Sequence, residues 1–144
     1  MRMPRLVVVM SLLLLTAACG LKSDPRGADQ VRPKVITDLV SQPAADGVHL
    51  TWRRPATYLN GQRMDDLGGF LVFRGVPEQQ ADQQAEQIAD IPVIDRERFR
   101  PEKKFEYVDK QVTKGERYYY RVVTYTLDKY YSQPSNMVAV TIEP

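Results

Sequence analysis

One cysteine and one histidine bound the chemistry open to this chain of 144 residues. With Cys19 and His49 alone, neither a zinc cluster nor a disulfide framework can be assembled within one copy. His49 sits between Val48 and Leu50, and the alternation predicts that it faces solvent. Serines at positions 11, 23, 41, 132 and 135 include none in a Gly-x-Ser-x-Gly elbow, and any serine triad would have to use His49. Asp65 and Asp66 could supply a glycosidase carboxylate pair in principle, but adjacent acids in a loop read more simply as solvated. Asp65, Asp66 and Asp82 lack the ordered ligand spacing of a calcium loop. The expectation is a non-catalytic protein with no metal and no cofactor.

The elements that would position any site follow from a hydrophobic period of two. Val48, Leu50 and Trp52 alternate with His49, Thr51 and Arg53, a half-buried strand closed by Pro55. A strand with apolar residues on both faces, Phe70 to Phe73, follows Gly68-Gly69. Phe105 to Val108 predicts a short strand, Tyr118 to Thr126 a long one, and Met137 to Ile142 a last one; Val35 to Val40 can supply the first. The interval 76–104 breaks the rhythm. Its glutamines, from Gln79 to Gln87, with Ala81, Ala85 and Ile88 favour a short helix or ordered loop, and Pro92-Val93-Ile94 an edge strand with proline at its start. Little helix and many short strands predict an all-β sandwich.

At the N-terminus Arg2 and Arg5 precede an apolar run, Leu6 to Leu15, interrupted by Ser11, and then the small residues Thr16, Ala17 and Ala18. That is the layout of a secretory signal, residues 1–18, and about ten apolar residues are too few to cross about 30 Å of hydrocarbon. Without it the formal charge of +2 vanishes, leaving 18 basic and 18 acidic side chains. A neutral chain without a polybasic footprint argues against nucleic acid as a partner. Leu15-Thr16-Ala17-Ala18-Cys19-Gly20 resembles the bacterial lipobox. The resemblance implies diacylglyceryl transfer to the Cys19 thiol (palmitate-type acylation), cleavage before Cys19, and attachment to a membrane. Gly20, where an aspartate would favour inner-membrane retention, implies the periplasmic face of the outer membrane. Residues 19–32 are polar and carry Pro25 and Gly27, which predicts a flexible tether. Cys19-Gly20-Leu21-Lys22 also resembles the start of small lipoproteins associated with lipopolysaccharide export, although Ser23, Asp24 and Pro25 depart from their pattern.

Residues 33–144 resemble a fibronectin type III domain. Gly47 to Pro55 is similar to the family's second strand, with Trp52 at its core tryptophan. Gly69 to Arg74 is similar to its third strand. Val112 to Val122 resembles "L-x-P-G-T-x-Y-x-x-x-V", with Lys114 in place of the proline, and this puts Tyr118 at the tyrosine corner. Ser132 to Asn136 is similar to the entry into the last strand. The resemblance implies an immunoglobulin-like β-sandwich, with an insertion at about 76–104.

In such a fold the third and sixth strands are neighbours. If Tyr118, Tyr120 and Val122 point inward, then Tyr119, Arg121, Val123 and Tyr125 line the outer face, beside Leu71 and Phe73. Tyr130 and Tyr131 could extend that strip. An exposed apolar strip with tyrosine and arginine predicts an interaction face; alternatively the glutamine-rich insertion folds over it. The functional expectation is a lipid-anchored module that holds another envelope protein. Stacking on peptidoglycan or lipopolysaccharide sugars, or a part in lipopolysaccharide export, are the alternatives.

Overall fold

The computed structural model describes residues 24–76, 85–100 and 103–144; Cys19, the segment 1–18 and Asp82 lie outside the described residues. Among the described residues seven strands form two antiparallel sheets. In the first, β1 (Val40–Ala44) pairs with β2 (Gly47–Arg53), which pairs with β5 (Lys104–Asp109). In the second, β4 (Glu86–Pro92), β3 (Leu67–Gly75), β6 (Arg117–Thr126) and β7 (Val138–Thr141) lie side by side in that order. Two single-turn helices, α1 (Ala28–Val31) and α2 (Asp95–Arg98), sit outside the sheets.

Alternation buries one face of each sheet against the other. Val48, Leu50 and Trp52 of β2 meet Phe70 and Val72 of β3 and Tyr118, Tyr120 and Val122 of β6, all in one hydrophobic cluster. At its centre the Phe70 ring lies 5.4 Å edge-on from Trp52 and 4.7 Å from Phe105, which couples the two sheets through three rings. The Tyr118 hydroxyl accepts the Thr113 backbone N–H at 3.0 Å, tying the β5–β6 connection to the start of β6.

The segment entering β7 is pinned to β6 by two serines. Ser132 and Ser135 donate their backbone N–H groups to the Thr124 and Val122 carbonyls, and their Oγ atoms accept the N–H groups of those same residues at 3.0 and 2.9 Å. Two serines thus satisfy the edge of β6 on either side of Pro134, which has no N–H to give.

Three expectations need correction. The first strand is 40–44, not 35–40. Ile36 and Leu39 are both 2% exposed and lie three residues apart, a spacing that does not fit a strand, and the Asn136 side chain bonds both the N–H and the C=O of Leu39. This irregular segment runs beside 136 before the chain crosses to pair with β2. In the interval 76–104, Gln79, Gln80, Ala81, Gln83 and Gln84 lie outside the described residues, while Gln87 and Ile88 belong to strand β4 and Pro92 ends that strand rather than starting one. Register against β3 overrides the helical propensity there, with Ile91 opposite Phe70. Finally, part of the expected tether is folded onto the domain. Val31 is 9% exposed, Asn60 and Leu59 donate backbone N–H groups to the Asp29 and Arg32 carbonyls, and Pro33 bridges Tyr58. Residues 28–32 therefore belong to the domain.

Candidate binding surface

Tyr119, Arg121, Val123 and Tyr125 do project from the outer face of β6, but they do not make one exposed strip. Leu71, Phe73, Tyr119 and Arg121 are half-buried, whereas Val123 is 8% and Tyr125 3% exposed. The expectation that Val123 and Tyr125 meet solvent is therefore corrected. Tyr125 faces Gly69 on β3, and its hydroxyl donates across that strand to Asp90 Oδ1 on β4 at 2.6 Å. Side chains at Gly68 and Gly69 would occupy the space its ring fills. The loop after β6 then covers it, with Lys129 Nζ 3.9 Å from the ring centroid and the Tyr131 ring 6.1 Å away. Burial, and after it the Asp90 carboxylate, hold the Tyr125 hydroxyl well above its ordinary pKa, so it stays a donor.

Gly69→Ala tests this strut. Its Cβ would overlap both the Tyr125 hydroxyl and the Ile91 backbone carbonyl, and the second cannot swing aside. The expected cost is about 1–3 kcal/mol in urea-unfolding free energy, larger than that of Gly75→Ala, where the added Cβ meets nothing.

The half-open part of the face centres on Tyr119. Its cross-strand neighbours are Gly75 on β3 and Ala139 on β7, which are too small to flank an aromatic ring. Only the Arg117 guanidinium approaches closely among the ring contacts observed, at 5.4 Å from the centroid. Phe73 lies opposite Arg121 and Leu71 opposite Val123. Tyr130 and Tyr131 are each 45% exposed, beyond the end of the strand.

On the opposite sheet His49 is held between two acids, with Nε2 2.8 Å from Asp46 and Nδ1 2.7 Å from Glu106. Hydrogen bonds to Asp46 and then Glu106 raise its pKa. With both nitrogens engaged, it has no free lone pair for use as a base once protonated. Asp66 accepts the Tyr58 hydroxyl at 2.6 Å, which gives one acid of the Asp65-Asp66 pair a structural partner. No group of three or more histidine, cysteine, aspartate or glutamate side chains suited to a metal occurs among the described residues.

A second surface was not foreseen. The β2–β3 loop (54–66), the β4–β5 loop (93–103) and the β6–β7 hairpin tip (127–131) lie at one end of the sandwich, because Arg53 pairs with Lys104, Gly69 with Pro92 and Leu67 with Thr126. Arginines weld this end together. The buried Arg54 donates to the carbonyls of Met64 (2.9 Å) and Arg98, and Arg98 Nε donates to the Leu67 carbonyl at 2.8 Å. Leu127 N–H reaches the Asp66 carbonyl at 2.8 Å. From this frame Leu59, Ile94, Phe99 and Leu127 project, 48–57% exposed. They occur singly among turn residues such as Asn60-Gly61 and Asp128-Lys129, so no periodicity marks them in the sequence.

Two packed sheets with order β1-β2-β5 and β4-β3-β6-β7, a core tryptophan on β2 and a tyrosine corner at the start of β6 define the architecture. The third fibronectin III domain of human KIAA0343 protein superposes with TM-score 0.52 at 10% identity, covering 88% of this chain and 94% of that one. The fold is that of a fibronectin type III domain. A crystal structure of titin domains matches with TM-score 0.54 at 14% identity, over 78% of this chain and 32% of that one. Pectate lyase PelI from Erwinia chrysanthemi, in complex with tetragalacturonic acid, matches with TM-score 0.50 at 20% identity, over 74% of this chain and 28% of the enzyme. The chain thus spans about a third or less of these two longer structures. No family model and no curated protein sequence matches the chain.

Proposed function

We propose that this fibronectin type III domain is a lipid-anchored, non-catalytic binding module of a bacterial cell envelope, attached through Cys19 to the periplasmic face of the outer membrane and holding another envelope protein on the outer face of its β4-β3-β6-β7 sheet. The observation that carries the docking face is Tyr119, a half-exposed aromatic flanked by Gly75 and Ala139, with Phe73, Leu71 and Arg121 on the same face. An aromatic ring with small neighbours leaves a shoulder on each side, into which a partner side chain can pack, and tyrosine with arginine is the usual composition of binding hot spots. The buried Tyr125 beneath its loop rigidifies one end of this face, so that little order must be gained on binding. The lipobox-like segment before Cys19 supports the anchor.

Site-specific photocrosslinking in cells tests the face. A crosslinker at Phe73 should capture a discrete envelope protein. Tyr119→Ala should remove that adduct while leaving the unfolding free energy within about 0.5 kcal/mol of wild type, as for a partly exposed site. An unchanged adduct in Tyr119→Ala rules out this face. Retention of the chain on purified peptidoglycan or lipopolysaccharide, with no protein present, would instead assign the aromatic to a glycan.

A further inference from the structure

Resting on the reading of Cys19 as the lipid-bearing residue, we propose that the loop end of the sandwich lies on the bilayer itself, with Leu59, Phe99, Leu127 and Tyr130 inserted among the lipid headgroups and the docking face held upright beside the membrane. The tether sets this geometry. Because 28–32 are fastened to the 54–66 loop, only eight residues lie between Cys19 and Ala28, where the fastened segment begins, and the nine Cα steps from Cys19 to Ala28 reach at most about 30 Å even fully extended. The anchor therefore enters the domain at the end that carries the apolar tips.

The distribution of exposed apolar side chains is one-sided. Eight large apolar residues are exposed among the described residues, and six of them, Leu59, Ile94, Phe99, Leu127, Tyr130 and Tyr131, belong to the three loops of this end. Of the other two, Val40 opens strand β1 and Met137 immediately precedes β7. None lies in the β1–β2 turn or the β5–β6 connection at the far end. Isolated leucines and phenylalanine on a hydrogen-bonded frame resemble insertion tips more than a flat protein interface, and tyrosines suit the water–hydrocarbon boundary. The exposed charges of this end are mixed. Arg26, Arg32, Lys34, Arg63, Arg96, Arg100 and Lys129, with Arg53 and Lys104 at the strand ends, are accompanied by Asp24, Asp29, Asp38, Asp65, Asp95 and Asp128, and the proposal assigns the attraction to apolar insertion, which salt does not screen. A short tether keeps the tips at high local concentration, so each needs to contribute little.

The test uses the chain from Cys19 onward, which keeps every described residue, coupled through its single thiol to a maleimide lipid in phosphatidylethanolamine/phosphatidylglycerol vesicles. This coupling does not depend on lipidation in cells, so failure of the anchor reading and failure of bilayer docking give different results. Tryptophan is introduced as Leu59→Trp or Leu127→Trp, with Lys114→Trp at the far end as reference, and quenching by bromine-labelled lipid is measured against the buried Trp52 background. At both loop positions quenching of at least half the added fluorescence is expected, unchanged in 0.5 M salt and in phosphatidylcholine, with none added by Lys114→Trp. The double variant Leu127→Glu with Phe99→Glu should abolish quenching at Leu59→Trp, while an unchanged far-ultraviolet spectrum shows that it folds. Equal quenching at both ends, none at either, or loss of quenching in 0.5 M salt would overturn the proposal. So would crosslinking of the loop tips to a protein in place of lipid.

Discussion

Asp109→Ala should unfold or nearly unfold the domain, with a loss of about 3–5 kcal/mol against a net stability of about 5–15 kcal/mol for a domain of this size. The carboxylate is 2% exposed and sits on β5, at the end of the sandwich opposite the loop tips. Arg74 of β3 reaches it from the other sheet at 3.0 and 3.2 Å, the Tyr120 hydroxyl of β6 donates at 2.9 Å, and the Gln111 N–H donates at 3.0 Å. One side chain therefore joins both sheets. Its removal leaves a guanidinium only 15% exposed at the side chain and a buried phenol whose partner is gone. Arg74 keeps the Gln111 carbonyl and an exposed Glu86, too little to replace a buried anion. Burial, and then Asp109, raise the Tyr120 pKa, so that hydroxyl remains a donor needing an acceptor. Urea unfolding measures the loss. Replacing the whole cluster with Arg74→Met, Asp109→Leu and Tyr120→Phe should recover much of it, since no buried charge is then left unpaired and only the exposed Glu86 loses its partner. A shift below about 1 kcal/mol for Asp109→Ala would show that the cluster is not what joins the sheets.

Cys19→Ser should abolish the proposed membrane anchor outright. The lipobox resemblance implies that lipid transfer to the thiol precedes the cut before residue 19, so the variant should incorporate no labelled palmitate and should retain residues 1–18, visible as a heavier chain by mass spectrometry. Wild type should carry the label and begin at Cys19. The size of the effect follows from acyl chains burying about 0.8 kcal/mol per methylene, so that two or three chains hold a protein on a membrane where one holds it only marginally. No helix among the described residues is long and apolar enough to cross a bilayer. Palmitate in the variant, or none in wild type, would dismiss the anchor.

The two surfaces divide the work of the proposed module. A loop end against lipid and a sheet face to the side would leave β4, an edge strand, beside the docking surface, where a partner could pair with it as well as pack on Tyr119.

Much of this was legible in the sequence. Alternation in Val48-His49-Leu50-Thr51-Trp52 and in Tyr118 to Val122 determines which side chains enter the core, because successive residues of a strand must point to opposite faces. Tyr118 and the serines at 132 and 135 act through neighbours close along the chain or directly across a strand, so their spacing was informative. Tertiary structure alone decided the rest. Alternation says that Tyr125 leaves the core but not that Gly68, Gly69 and Asp90, brought alongside by register, give its ring a bed and its hydroxyl an acceptor. The polar composition of 24–32 suggested a free leash, yet the Asp29 and Arg32 carbonyls accept backbone hydrogen bonds from a loop that begins more than twenty residues later. Asp109 and Arg74 pair across two sheets and 35 positions, a meeting set by how the sheets stack. Composition and period act locally and fix facing; what covers a face depends on distant segments, and those meet only when the sandwich closes.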